Sequence, residues 1–242
     1  MTGMTGGADC APACLAATHA GWHRVAEHMP AFALYRAAGY TGLVPSPGGF
    51  RPPSFGTGAR FLAVDGTELV VSGAAGTERT PVTTVRAAAE FAGVTPGAPA
   101  GVSGPAAPPD LDAPLMTEPG AARLPAEWYG LGAQPLSRFA AEIPGDKPVG
   151  PVLWPAQFDA VMTAAAISHG ASPGDDHSTD PYLYMGPHDG PPPGDPAFWN
   201  APFGAARIFG QAGTVAEAAA FFGDARARVL AHATTTPTGR TS

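Results

Sequence analysis

The stretch Phe61-Leu62-Ala63-Val64-Asp65-Gly66-Thr67-Glu68-Leu69-Val70-Val71 decides how the chain is read. Two short apolar runs, Phe61 to Val64 and Thr67 to Val71, flank Asp65-Gly66. An Asp-Gly step between strand-forming runs is the strongest short-range hairpin signal, because a type I′ turn needs φ > 0 at both central positions. This predicts an antiparallel pair, and the rest of the chain is read outward from it.

Toward the N-terminus, Leu15, Trp22, Val25 and Met29 recur at heptad-like spacing, which predicts a helix from Leu15 to Ala38 broken or kinked at Pro30. After Gly39, Tyr40 to Val44 alternates like a short strand. It leads into Pro45-Ser46-Pro47-Gly48-Gly49-Phe50, an ordered loop whose paired glycines open backbone conformations closed to other residues.

Toward the C-terminus, Pro81-Val82-Thr83-Thr84 runs into Val85 to Ala92, a short helix with a threonine as its N-cap and Gly93 in the left-handed closing position. Thr95 to Pro114 carries Pro96, Pro99, Pro105, Pro108, Pro109 and Pro114 with almost no large apolar side chain, and is expected as an extended surface loop. Helical pieces are predicted at Ala121 to Leu131 and Pro135 to Glu142, with Pro125 and Pro135 as first-turn residues. Strands are predicted at Val149 to Trp154, Phe158 to Ile167 and Pro181 to Gly186. A last helix follows at Val215 to Ala231, with Val215, Ala218, Ala219, Phe222 and Val229 as its apolar stripe. Strands and helices occur in runs without β-α-β alternation. The expected class is therefore α+β, a mostly antiparallel sheet packed against helices with long Pro/Gly-rich loops. One domain is expected over residues 13–233, with tails at 1–12 and 234–242.

Composition limits what such a domain can do. Gly and Pro number 32 and 29 among 242 residues, yet 45% of the chain is hydrophobic, enough apolar surface to offset chain entropy. The net charge of −7 with scattered arginines offers no footprint for a phosphate backbone, so no nucleic-acid partner is expected. No apolar run approaches the ~18 residues a membrane span needs, and Met1 to Asp9 lacks a basic leader segment. The expected setting is cytoplasmic, without membrane association, and there Cys10 and Cys14 would stay as thiols. No G-x-S-x-G elbow or phosphate-cradling glycine motif is present.

Chemistry-bearing residues crowd into one segment, Ser168 to Tyr184. Asp175, Asp176, His177 and Asp180 are of the types that ligate metals, His169 or His177 can serve as a general base, and Tyr182 as a proton donor. A Pro/Gly/Asp turn whose side chains cap their own backbone explains the same residues without chemistry. On the first helix, His19, His23 and Glu27 share one face beside the apolar stripe, as a metal clasp or as an ordinary amphipathic border. The ligand-binding candidates are Gly48, Gly49, Phe50, Trp154, Asp180, Tyr184 and Trp199. The aromatics among them also suit a core, and Trp199 follows the Pro191-Pro192-Pro193-Gly194 loop as a lid would.

Pro47-Gly48-Gly49-Phe50, Leu153-Trp154-Pro155-Ala156-Gln157-Phe158-Asp159, the Ser172-Pro173-Gly174-Asp175 to Pro181-Tyr182-Leu183-Tyr184 run and Phe198-Trp199-Asn200 together resemble a family of uncharacterised actinobacterial proteins. The resemblance implies an α+β domain. It also implies Glu-His where this chain has Ala156-Gln157, so any imidazole chemistry at that point is lost here. It implies no substrate or cofactor.

The expected partner is a small-molecule ligand, in a pocket between the sheet and the first helix walled by Gly48 to Phe50 and Asp175 to Tyr184. The first alternative is a hydrolase or lyase-type enzyme that uses His177 or His169 with Asp175, Asp176 and Tyr182, with or without a metal. The second is a non-catalytic interaction protein docking through its proline-rich loops.

Overall fold

The computed structural model describes residues 12–46, 48–53, 60–98, 110–115, 118–143, 149–208, 211 and 214–235. Residues 1–11 of the expected N-terminal tail with Cys10, Pro47, Ser54, most of the proline-rich loop and residues 236–242 of the expected C-terminal tail lie outside the described residues. The class is α+β: among the described residues five α-helices accompany two five-stranded sheets, and the strand pairings described in them are antiparallel. The chain divides into two compact units, one comprising Met1–Gly130 and Val152–Phe158, the other Leu131–Pro151 and Asp159–Ser242. Among the described residues, no helix is long and apolar enough to cross a membrane.

In the first unit, α1 (Pro12–Ala26) passes through a wide π turn at Glu27–Ala31 into α2 (Phe32–Ala38). Pro30 sits inside that turn, which is where the sequence placed the break. A proline removes one intrahelical donor, and widening the turn accommodates its ring without ending the helix. Gly39 closes α2 with φ +67°.

The first sheet is a meander of β1 (Val44–Ser46), β2 (Gly49–Arg51), β3 (Phe61–Asp65), β4 (Glu68–Gly73) and β5 (Gly76–Pro81). The predicted hairpin is β3–β4, with Asp65 opposite Glu68, so the central residues are Gly66 and Thr67 rather than Asp65 and Gly66. Only Gly66 of that pair has positive φ, +63°, which suits a II′ turn instead of the expected I′. The segment expected as a loop at residues 45–50 is itself a hairpin, β1–β2. Strand β5, which carries no apolar alternation to betray it, is an exposed edge. Its Arg79 reaches Asp65 at 3.0 Å and Glu68 at 3.1 Å.

Helix α3 (Val85–Ala92) is the predicted capped helix. Thr84 Oγ1 accepts from the Ala87 N–H at 3.0 Å and Gly93 closes the end with φ +67°. The segment 152–158 joins this unit through paired backbone hydrogen bonds of 2.9 Å between Leu43 and Leu153. Phe158 ends it in a left-handed conformation, fully buried.

A single helix, α4 (Pro119–Glu142), replaces the two predicted pieces, with Pro125 and Pro135 inside it rather than in first turns; the boundary between the units falls within this helix. The second sheet has the order β10-β9-β8-β7-β6, made of β6 (Val149–Trp154), β7 (Asp159–Ala164), β8 (Ile167–Ser172), β9 (Tyr182–Pro187) and β10 (Ala205–Ile208); β7 to β10 and the first three residues of β6 belong to the second unit. The single strand expected from Phe158 to Ile167 is the first strand and the turn of a hairpin. Ala165 and Ala166, with φ +51° and +57°, form the two-residue turn between paired Ala164 and Ile167. Both central residues being left-handed is the I′ pattern, built here from alanines, which give no turn signal.

Because side chains alternate across a strand, this register sorts the sheet into two faces. Met162, His169 and Met185 lie on one face with Ala171 and Leu183, while Gly170, Tyr184, Ser172 and Tyr182 lie on the other. The first face packs on Phe139 of α4 and on α5 (Val215–Thr235), whose Ala218, Ala219 and Phe222 are buried as its stripe predicts, joined by Ala225, while Val215 and Val229 of that stripe are half-buried.

Candidate functional site

Two Tyr–Asp pairs occupy the face of the second sheet turned away from α5. Tyr182 and Tyr184 are two residues apart on β9 and therefore project side by side, their ring centroids 6.0 Å apart. The Tyr184 hydroxyl donates a short hydrogen bond to Oδ2 of Asp159, at the start of β7. The Tyr182 hydroxyl donates to Oδ2 of Asp175 at 2.6 Å. Gly170, beneath Tyr184, makes room for this: a Cβ there would lie 2.2 Å from the Tyr184 ring. Phe203 and His177 complete the aromatic group, with His177 edge-on to Tyr182 at 5.4 Å and to Phe203 at 5.0 Å.

The two carboxylates differ in setting. Asp175 is exposed, and its Oδ1 accepts the main-chain N–H groups of His177 at 2.8 Å and Ser178 at 3.3 Å. It therefore shapes its own loop while it holds Tyr182. Asp159 is 8% exposed, and its buried Oδ1 has no hydrogen-bond partner. Burial raises its pKa from 3.8 to about 6. The Tyr184 hydrogen bond and the residue's own main-chain N–H oppose that rise, and the nearby charge of Asp175 adds to it. The same burial, reinforced by the carboxylates, pushes both tyrosine hydroxyls upward, so they stay protonated donors.

The structure gathers three of the proposed catalytic residues, His177, Asp175 and Tyr182, together with Tyr184. It does not bring His169 to them. His169 sits on the opposite face, fully buried between Phe139 at 4.7 Å and Phe222 at 5.8 Å. An odd-numbered position on β8 cannot share a face with Gly170 and Ser172. Burial lowers its pKa to about 4, the Met162 and Ile167 main chain opposing and Arg226 adding to that shift, so it is a neutral core imidazole. Asp176 and Asp180 are exposed on the loop; the main chain of Asp180 exchanges hydrogen bonds with Ser178 at 3.0 and 3.2 Å. Trp199 packs with Phe198 against Ile167, Met185 and Ala225, on the α5 side of the sheet.

The remaining candidates lie in the first unit. Gly48 and Gly49 make room for their neighbours, since a Cβ on Gly48 would lie 2.0 Å from the side-chain Oδ1 of Asp65 and one on Gly49 2.3 Å from the Val64 carbonyl. Phe50 is fully buried, edge-on to Trp22 and Phe158. Trp154 is 36% exposed and lies edge-on to Tyr40. His19 and His23 flank Phe158, with His23 stacked on its ring at 5.2 Å, and burial lowers the pKa of His23. Gln157 is exposed in the turn that precedes Phe158.

Asp159 is the site residue that reading the sequence missed. The available signal was a charged side chain opening the apolar strand Asp159-Ala160-Val161-Met162, two strands away from paired tyrosines. Among the described residues, no three His, Cys, Asp or Glu side chains gather closely enough to hold a metal ion. Comparison with protein-family models, curated proteins and solved structures finds no match to this chain.

Proposed function

We propose that this protein binds a small polar molecule on the tyrosine face of its second sheet, with Asp159 as the anchoring acceptor. The observation that carries this reading is the buried Asp159 Oδ1, which lacks a partner beside two satisfied Tyr–Asp pairs. A buried acceptor left unpaired costs about 1–3 kcal/mol, and a ligand donor would recover that. His177 and Phe203 offer apolar surface at the rim, and exposed Asp175 a second acceptor. The test is a thermal-shift screen of polar small molecules against the wild type and Asp159→Asn. Hits that raise the melting temperature of the wild type and not of the variant support the reading, because bound ligand stabilises by mass action. Hits that are indifferent to Asp159, or no hits, refute it.

One observation favours an enzyme of hydrolase or lyase type as a second reading. A carboxyl held at about 6 exchanges its proton near neutral pH, as a general acid or base must. On this reading Asp159 takes the role first given to His177 or His169, and Tyr184 tunes it.

A further inference from the structure

We infer that the molecule bound on this face is a small organic cation, a protonated primary or secondary amine whose N–H groups are taken up by the buried oxygen of Asp159 while its charge lies against the tyrosine rings. This deepens the binding reading above and rests on it. Three features of the second unit support it. First, the face collects two carboxylates, Asp159 and Asp175, and among the described residues no ion pair with an arginine, lysine or histidine is formed by either. Their hydrogen-bonding partners are phenols and main-chain N–H groups, neutral donors that leave the negative charge uncompensated.

Second, the polar atom still seeking a partner is an acceptor, Asp159 Oδ1, in a side chain more than nine-tenths buried. A carboxylate oxygen is completed by a donor, and a charged donor makes the shorter and stronger bond. A quaternary ammonium, with no N–H, cannot provide it. Third, Tyr182, Tyr184 and Phe203 set aromatic rings within 5.7 to 6.5 Å of one another around the Tyr184–Asp159 pair, and aromatic faces attract cations. An anionic ligand would meet two carboxylates, and a divalent metal would lack a third ligand of the usual types among the described residues.

The test uses the full chain and matched probes: propylamine, tetramethylammonium, propanol and propanoate, titrated by calorimetry into the wild type, Asp159→Asn and Asp175→Asn. The expected result is that propylamine binds at least about tenfold more tightly than propanol, and that tetramethylammonium and propanoate bind more weakly still. Asp159→Asn should lose about tenfold in propylamine affinity, the order expected for one charge-assisted bond. Asp175→Asn, which keeps an oxygen for the loop N–H groups, should lose a few-fold and serves as the reporter if the Asp159 variant does not fold. Propanol binding as tightly as propylamine, with both lost in Asp159→Asn, would overturn the cation while leaving the binding site standing. Equal propylamine affinity in all three proteins, or no propylamine binding, would overturn the cation inference outright, and the wider polar screen would decide separately on the site.

Discussion

The two faces of the second sheet each bury one titratable side chain, and the same physical force acts on them in opposite directions. On the α5 side, His169 is enclosed by Phe139, Phe222 and the aliphatic side chains around them, and burial strips its proton, leaving a pKa of about 4. On the tyrosine side, burial makes Asp159 keep its proton up to about pH 6. Low dielectric penalises the charged form in both cases, and the charged form of an imidazole is the protonated one whereas that of a carboxyl is not. What differs is the lining. Each face leaves buried polar atoms without a partner, the ring nitrogens of His169 on one and Asp159 Oδ1 on the other, but the α5 side is closed by apolar rings while the tyrosine side retains hydroxyls and a second carboxylate. A sheet can use one face to hold itself together and leave the other for chemistry.

The largest way to break this contrast is Phe222→Ala. Removing a fully buried ring over His169 should cost about 3–5 kcal/mol in denaturant unfolding. It should also let the His169 pKa climb toward its ordinary value, as proton NMR of the imidazole would show. The tyrosine face should be unaffected, so a simultaneous shift of Asp159 would refute the independence of the two faces.

Next in size is the pH dependence. His169 has a lowered pKa in the folded state, so between about pH 4 and 6.5 the unfolded chain binds the extra proton and stability rises with pH. Asp159 has a raised pKa, so between 3.8 and about 6 the folded chain binds the extra proton and stability falls as pH rises. Across the overlap, from about pH 4 to 6, the two slopes largely cancel. Asp159→Asn should uncover the histidine slope, about 1.4 kcal/mol per pH unit relative to wild type, and gain about 3 kcal/mol near neutral pH. His169→Met should tilt the curve the other way. Unfolding midpoints measured over that range in all three proteins decide the matter, and parallel curves would sink it.

A smaller effect concerns the turn that keeps the faces distinct. A one-residue slip in β7–β8 would exchange the faces, and the turn that sets this register holds Ala165 and Ala166 in left-handed conformations that cost about 1–2 kcal/mol each. Replacing Ala165→Asn together with Ala166→Gly should stabilise the protein by about 1–2 kcal/mol without changing the circular dichroism spectrum. A loss of stability would contradict the I′ geometry. Least of all, Tyr182→Phe should cost about 1 kcal/mol, because Asp175 is exposed and water replaces the lost hydroxyl.

What the sequence determined by itself are the features with local causes. The Pro30 break, the Thr84 cap with Gly93, the hairpin at Gly66 and the apolar stripe of α5 each follow from residues within one turn or two of each other. Even the crowding of His177, Asp175, Tyr182 and Tyr184 was legible, since the loop and β9 are adjacent in the chain. Strand β5 and the Ala165-Ala166 turn escaped because polar alternation and paired alanines carry no local preference for what they form. Only the tertiary structure decided which of the chemical residues meet. His169 reads as an alternative to His177 along the chain, yet the two-residue pleat turns it to the opposite face, and the pairing of β7 with β8 and β8 with β9 brings Asp159 to Tyr184 across 25 residues of sequence. Strand register is set by packing between segments distant in the chain, and so the buried oxygen that anchors the proposed ligand could be located only in the folded sheet.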